Sequence, residues 1–562
     1  MSHFKQAHID LVAKAIEELS FEEMIDFEVI NSTYVLRINN QICYAFHGKI
    51  SIWSGIQVKR ETLVKLNEGS KETIYFDDFF REVKDFIEID DKTLAQFIEE
   101  GNQTIFSDVQ VLEKYASLPS LIDKNYNFTL IDSLCSGHPK LILNKGRIGW
   151  GVSDLGKYAP ESQKPFQLKW LIIKKKALTL GFNESFDYSK YLVEELGFSL
   201  DELSEDEIFI PVHPWQWDHY LKVQFGIQIS NGDIRESKQS GPFVTPQVSI
   251  RTMSVNGISQ YDIKLSLSIL NTSCVRGIPH RYIESGQLIS NFMQKIVQED
   301  PKLSQMDILE EVGAFAVKHR SFNKIEGGSY RFKELLGGVF RESVATKLNS
   351  GERAIPVAGL LINHHNFCFV KELIEYSGLI PSEWVRLYVI NVLIPLYHLQ
   401  VVHGIGLVAH GQNTILKLKN HTPVGVIIKD FHGDLRISTQ SKHKESELQG
   451  ILDELPTEYL IHDLFTGHFV TTLRYLSRIL DERSILIEKD FYKVIFDEVK
   501  KYLKDQPTQD ENNLIKEKFE KVLVNKVRFK MGYDETALRL KPMLGQHILN
   551  PIGKGVQYES RI

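Results

Sequence analysis

The stretch from Pro381 to Asp434 constrains the fold more than any other part of the chain. Pro381-Ser382-Glu383 is a helix start: proline's fixed φ suits the first turn, its missing N–H is not needed there, and an acid favours that end. Apolar periodicity predicts a helix from there to about His403, kinked at Pro395. A loop containing Gly404, Gly406, His410 and Asn413 follows. A strand over 414–418 is expected to turn through 420–423 into a second over 425–428, ending in Lys429-Asp430-Phe431-His432-Gly433-Asp434. A hairpin of this kind sets its two ends side by side, so Asn413 and Asp430 are expected to be neighbours.

The order of helix, His-containing loop, Asn, hairpin and Asp-Phe-x-Gly is also found around a protein-kinase metal site. There the Asn and the Asp hold magnesium on a nucleotide. This chain lacks the kinase Arg-Asp and has no preceding GxGxxG, so kinase membership is not supported. The physical role still transfers as an expectation, because Asn413 and Asp430 supply hard oxygen ligands suited to Mg²⁺ bound with phosphates.

A second hairpin is signalled by Asn256-Gly257, which tolerate the positive φ of a tight turn. A two-residue loop predicts Val255 opposite Ile258 and Ser249 opposite Lys264. Alternation then puts Val248, Ile250, Ile263 and Leu265 on one face. Gln247, Ser249, Arg251, Asp262, Lys264 and Ser266 fall on the other. A loop at Asn271-Thr272-Ser273 leads to Arg276. Three cations (Arg251, Lys264, Arg276) and several hydroxyls thus lie close along the chain. That set suits a polyphosphate, which needs fixed positive charge and many donors. Taken alone, the same face also fits a solvent-facing sheet with an Arg251–Asp262 pair.

Composition narrows the function classes. The chain has 562 residues, 66 Lys+Arg against 73 Asp+Glu, and a net charge of -7. No basic excess exists to neutralise a duplex, so nucleic acid is not an expected partner. The basic run Lys174-Lys175-Lys176 reads as a solvated face. The length predicts two to four domains. Cys43, Cys135, Cys274 and Cys368 are scattered without CxxC spacing, which fits a reducing compartment. His3 to Met24 is amphipathic and carries acids, unlike a signal peptide. Tyr388 to Ala409, the most apolar stretch, is broken by Pro395, His398, Gln400 and two glycines, and reads as a buried helix and not a membrane span. A cytoplasmic protein without a membrane partner is expected. Residues 1–130 read as mostly helical, with short strands over 33–46. Two further clusters are Gly137-His138-Pro139 with Lys145-Gly146-Arg147-Ile148-Gly149, and Val212-His213-Pro214-Trp215-Gln216-Trp217. In the latter, Trp215 and Trp217 read as alternating strand residues in a core, with Gln216 on the opposite side.

Together these clusters resemble the IucA/IucC family, the NRPS-independent siderophore synthetases, over roughly residues 130–551. The resemblance rests on Gly137-His138-Pro139, Lys145 and Gly149; on His213-Pro214-Trp215-Gln216; and on Ser249-x-Arg251-Thr252, Lys264, Thr272 and Arg276. It continues through His410-Gly411-Gln412-Asn413 and Lys429-Asp430 with Gly433, and more loosely through Lys526, Met531 and Asn550-Pro551. The resemblance implies an α+β cupped hand: a mainly helical thumb (1–165), β-rich fingers (166–354) and a distantly kinase-like palm (355–562). It implies ATP and Mg²⁺, with adenylation of a polycarboxylic acid such as citrate or a citrate-derived intermediate. Condensation with an amine or alcohol follows, releasing AMP and pyrophosphate.

By motif position, Ser249, Arg251, Thr252, Lys264, Thr272 and Arg276 would contact ATP or the acid. His410, Asn413 and Asp430 would complete the nucleotide site, with Asn413 and Asp430 on the metal. His138, Lys145 and Arg276 would bind substrate. Arg276, Lys264 and His410 would be catalytic. The chain departs from the family pattern at Leu141-Ile142, where a second His-Pro is common, and at Val408, where Glu is common. It departs again at Lys530 and Gly532, where two arginines are common. A kinase-like phosphotransferase and a non-catalytic citrate- or nucleotide-binding member are the competing functions. The resemblance and the general frequency of two-fold dimers admit a homodimer.

Overall fold

The computed structural model describes residues 2–117, 120–123, 125–256, 259–272, 274–364, 367–444, 448–505, 514–532 and 543–553. The chain opens with the helix His3–Phe21, capped by the Ser2 hydroxyl, which accepts from the Lys5 N–H. An antiparallel meander then runs Glu28–Ile30, Thr33–Arg37, Ile42–Phe46, Val64–Asn67 and Ser70–Glu72. This sheet is larger than the short strands expected over 33–46. The 27-residue helix Asp91–Ser117 packs against the first helix.

The central part is organised by a seven-stranded antiparallel sheet. Its order is Leu178–Phe182, Glu311–Val317, Gly337–Glu342, Tyr261–Leu265, Thr252–Val255, Phe243–Pro246 and Phe166–Gln167. One face is filled by Ile263, Leu265, Phe315 and Phe340, all nearly inaccessible to solvent. Burial on this scale is the main favourable term holding such a sheet.

The Pro381 helix forms as expected, but its proline is accommodated differently. Pro381–Tyr388 continues through a π turn, Val389–Leu393, into Ile394–His403. The wide turn immediately before Pro395 absorbs the hydrogen bond proline cannot make, as π-bulges do. Gly404, at φ 63°, closes the helix and donates to the Gln400 carbonyl. Pro381–His403 is long and apolar enough to cross a membrane by length and composition, yet Trp384, Val392, Tyr397 and Leu399 are buried in the protein core. The hairpin behind it is as read from sequence: Thr414–Lys419 pairs with Thr422–Ile428, turning at Asn420 and His421, both at positive φ.

Two expectations are corrected. Trp215 and Trp217 lie on helical turns, Pro214–Gln216 and Trp217–Leu221, and not on a strand. Pro214 at a first helical position and His213 as cap, its Nδ1 accepting from the Trp215 N–H at 3.1 Å, make that turn. The central hairpin also has another register. Thr252 faces Lys264, Met253 faces Ile263 and Ser254 faces Asp262, three residues away from the predicted Ser249–Lys264 pairing. The connection is longer than two residues; Gly257 and Ile258 themselves lie outside the described residues. Ser249 and Arg251 consequently sit in the turn joining Phe243–Pro246 to Thr252–Val255, beyond the strands.

Candidate active site

The turn at residues 247–251 fixes where the first cations stand. The Gln247 N–H donates to the Thr252 carbonyl at 2.8 Å, and the Ile250 N–H donates back to Gln247 at 2.8 Å. Ile250 is fully buried and held at φ 62°, a region β-branched residues avoid. Its apolar burial drives the side chain inward and leaves Ser249 and Arg251 at the end of the sheet. The Ser249 hydroxyl accepts from the Thr252 N–H at 3.2 Å, and Arg251 donates to the Gly277 carbonyl at 2.5 Å. Arg276 donates to the Asn271 carbonyl at 2.6 Å and to the Thr272 hydroxyl. Arg251 and Arg276 are close enough that, after burial, Arg276 is the largest influence lowering the basicity of Arg251. Their hydrogen bonds go to carbonyls and a hydroxyl, so two like charges face each other. An anion between them would relieve that cost.

The late acidic turn reaches this region directly. Asp430, at φ 61°, accepts from Lys264 Nζ at 2.5 Å on one oxygen and from Arg341 at 3.0 Å on the other. Burial opposes ionisation of Asp430, but Lys264, Arg341 and Lys429 outweigh it and hold the carboxyl well below its ordinary range. Arg341 also reaches Asp262 at 3.3 Å, and Asp262 accepts from Gln247 at 2.6 Å. The cross-strand partner of Asp262 is therefore Arg341, not Arg251. Lys429 is buried beneath the turn, its ammonium 5.5 Å from the centre of the Phe128 ring. Burial also pushes Asp132 up to about 6, with Lys429 pulling against it.

On the palm side, the His410 Nδ1 accepts from the Gln412 N–H at 3.3 Å. Burial lowers the His410 pKa, opposed by Asp434 and Asp430, so the imidazole is neutral at pH 7. Asn413 donates to Asp434 at 3.0 Å. Asp434, Asn413 and Asp430 thus offer three hard oxygen donors around one loop, a donor set that fits Mg²⁺. Val408 contributes its N–H to the Asp434 carbonyl at 2.8 Å and brings no carboxylate; Asp434 is the acid beside Asn413. His138 lies with its ring 6.2 Å from that of His410 and is pushed down to about 3, by burial first and His410 second.

Other expected residues have partners of their own. Lys145 is buried between Asp108 at 2.8 Å and Glu161 at 3.8 Å, with Arg147 forked onto Glu161 by two 2.7 Å bonds. Gln216 links Ser268 and the Leu335 carbonyl. His213 is buried among Trp150, Tyr158 and Phe166.

Two residues not singled out from sequence matter here. Arg341 bridges Asp262 and Asp430; an arginine inside the apolar run Gly-Gly-Val-Phe-Arg was its one signal. Arg528 donates to the Thr272 carbonyl at 3.0 Å and to Glu100, tying the late helix Asn525–Met531 to the cationic loop. Glu334, beside Arg251, is pushed up to about 7 by burial, against Arg251 and Arg281.

These elements gather cations, hydroxyls and hard oxygen donors in one region. Residues 127–362 match the model of the IucA / IucC family, and residues 382–537 match that of the ferric iron reductase FhuF-like transporter. Aerobactin synthase of Vibrio mimicus is 30% identical over 585 residues, covering 98% of each chain. The Bacillus anthracis citryl-spermidine/3,4-dihydroxybenzoyl-citryl-spermidine:spermidine ligase is 27% identical, over 86% of this chain and 81% of its own. The solved structure of aerobactin synthetase IucC from Klebsiella pneumoniae superposes with a TM-score of 0.85 at 28% identity, covering 98% of each chain. ATP-bound aerobactin synthetase IucA from the same species shares the fold, at a TM-score of 0.81 and 16% identity over 98% of this chain and 99% of its own. The chain belongs to the IucA/IucC family of NRPS-independent siderophore synthetases.

Proposed function

We propose that the protein is an ATP-dependent siderophore synthetase that adenylates citrate or a citrate-derived intermediate and joins it to an amine or alcohol. A carboxylate is a poor electrophile because its leaving group would be oxide or hydroxide. Its oxygen attacks the α-phosphorus of ATP, the bond to pyrophosphate breaks, and an acyl-adenylate forms. The amine or hydroxyl then attacks the acyl carbon, AMP leaves, and the nucleophile's proton passes to a base. The observation that carries this reading is the Lys264–Asp430–Arg341 junction, which closes the central cations onto the late acidic turn.

The first step crowds an anionic acid against a triphosphate, so its barrier is largely electrostatic and positional. Arg251 and Arg276 would clamp the phosphates or the acid, helped by the Ser249, Thr252 and Thr272 hydroxyls. Lys264 would move from Asp430 to phosphate. His410, whose Nδ1 accepts from the Gln412 N–H, would present its Nε2–H as a donor to the phosphate. His138 beside it would meet the substrate, and Lys145 would support that side through its buried ion pairs. Asn413 and Asp430, with Asp434, would hold Mg²⁺, which supplies charge neutralisation on the phosphates. The thumb, fingers and palm division and a cytoplasmic setting belong to the same proposal. Relatives named for a citryl-spermidine ligase and for aerobactin synthesis support the substrate class.

Product analysis tests it. Incubation with ATP, Mg²⁺ and a panel of polycarboxylic acids should release AMP and pyrophosphate, with hydroxylamine trapping the acyl group as a hydroxamate for citrate or a citrate monoamide. Formation of ADP, or ATP binding without pyrophosphate for any acid, would sink the reading. Asp430→Asn keeps the shape but halves the donor charge. It should raise the Mg²⁺ needed for half-maximal pyrophosphate release about 10-fold or more; an unchanged Mg²⁺ titration would remove Asp430 from the metal.

A further inference from the structure

A cluster away from the candidate active site joins the middle of the chain to the long apolar helix. Asp300 follows the helix Tyr282–Glu299, and one of its oxygens accepts from the Lys302 N–H at 2.9 Å. Its other oxygen meets His398 Nε2 at 2.9 Å and His403 Nε2 at 2.8 Å. The three side chains are nearly out of solvent, with exposures of 3% and 6% for the histidines and 17% for the acid. The three ligand atoms all lie within 4.8 Å of one another.

We propose that Asp300, His398 and His403 form a binding site for one divalent transition-metal ion of the zinc type. Two imidazoles and one carboxylate are a recurrent ligand set for such ions, with a fourth position left to water. Ligands about 2.0–2.1 Å from a tetrahedral ion stand about 3.3 Å apart. The observed N···O separations need to open by only about half an ångström. The surroundings match what metal-bound imidazoles require, a partner on the outer nitrogen. His398 Nδ1 is 2.7 Å from the Tyr502 hydroxyl, and His403 Nδ1 is 3.1 Å from His443 Nε2, with the His403 and His443 rings stacked at 5.4 Å. On binding, each ligating ring moves its proton from Nε2 to Nδ1. The Tyr502 oxygen and His443 Nε2 then accept, His443 carrying its own proton on Nδ1, so no net proton is released. Mg²⁺ is a poor occupant because it prefers near-octahedral oxygen ligands. The ion would cross-link the Tyr282–Glu299 helix to the last turn of Ile394–His403. That turn leads through Gly404 and the strand Ile405–Leu407 to His410.

The test uses the full chain stripped with a chelator and free of ATP. Titration with Zn²⁺ should give one saturable site and raise the thermal midpoint. Co²⁺ should give the visible bands of a four- or five-coordinate nitrogen–oxygen site, and millimolar Mg²⁺ should not compete. Asp300→Asn and His403→Gln should each weaken Zn²⁺ more than about 100-fold, and His443→Gln, which touches only the outer nitrogen, about 10- to 100-fold. Absence of a saturable one-to-one site in the parent chain overturns the proposal. So does Zn²⁺ affinity unchanged in Asp300→Asn, the near-isosteric variant that decides the matter if His403→Gln is too unstable to measure.

Discussion

Lys264→Ala is expected to cut pyrophosphate release about 100- to 1000-fold while the protein stays folded, the loss typical of removing one charge-stabilising donor from a reacting centre. Lys264 is a strand residue opposite Thr252, so its backbone is set by the sheet and survives the change. Its ammonium is half of the contact that closes the two sides of the cleft. Asp430 keeps Arg341 at 3.0 Å after the substitution, so no buried carboxylate is abandoned. Arg276→Ala should cost a similar factor, because among the described residues its guanidinium hydrogen-bonds the Asn271 carbonyl and the Thr272 hydroxyl, both neutral, leaving charge to spare for an anion. Pyrophosphate release at saturating acid and ATP, with circular dichroism as the control on folding, measures both. Near-normal turnover in either variant would remove that residue from the phosphate clamp.

Arg341→Ala should be worse for the fold than for any single contact. Arg341 is 1% exposed and bridges Asp262 and Asp430. Its removal leaves Asp430 with Lys264 and buried Asp262 with the neutral Gln247 amide in place of a cation, and breaking a buried ion pair from one side costs about 3 to 5 kcal/mol. The sign of the pH dependence follows from Asp430. Its pKa is depressed in the folded state, so its stabilising contribution is present above the ordinary value of 3.8 and is lost as pH falls through the folded value. Without Arg341 that depression shrinks. The stability gap between parent and variant should therefore be largest at neutral pH and narrow only as pH falls below the ordinary value of 3.8. Denaturant unfolding at pH 7 and pH 3 checks this; equal stability of parent and variant at pH 7 would mean Arg341 is not the counter-charge.

The late hairpin was legible because every signal in it is local. Proline at the helix start, glycine after His403, and turn residues at Asn420–His421 act within a few residues, and the structure has all three in place. The order of short motifs along the chain was enough for the family. The central hairpin shows where such reading stops. Asn-Gly predicted a tight turn, but seven strands, four of them remote in sequence, share that sheet, and the pairing lies three residues away, with Ile250 and Ile263 buried.

Ion partners were hidden for the same reason. Arg341 reaches Asp262 because Gly337–Glu342 lies beside Tyr261–Leu265, and Arg528 reaches Thr272 across 256 positions of the chain. Asp434 pairs with Asn413 because the hairpin returns its end to its beginning. Residue order thus specified the helix, the palm hairpin and the kinds of charged group available. Which charges meet depended on three-dimensional packing, because side-chain electrostatics acts over a few ångströms of space irrespective of separation along the chain.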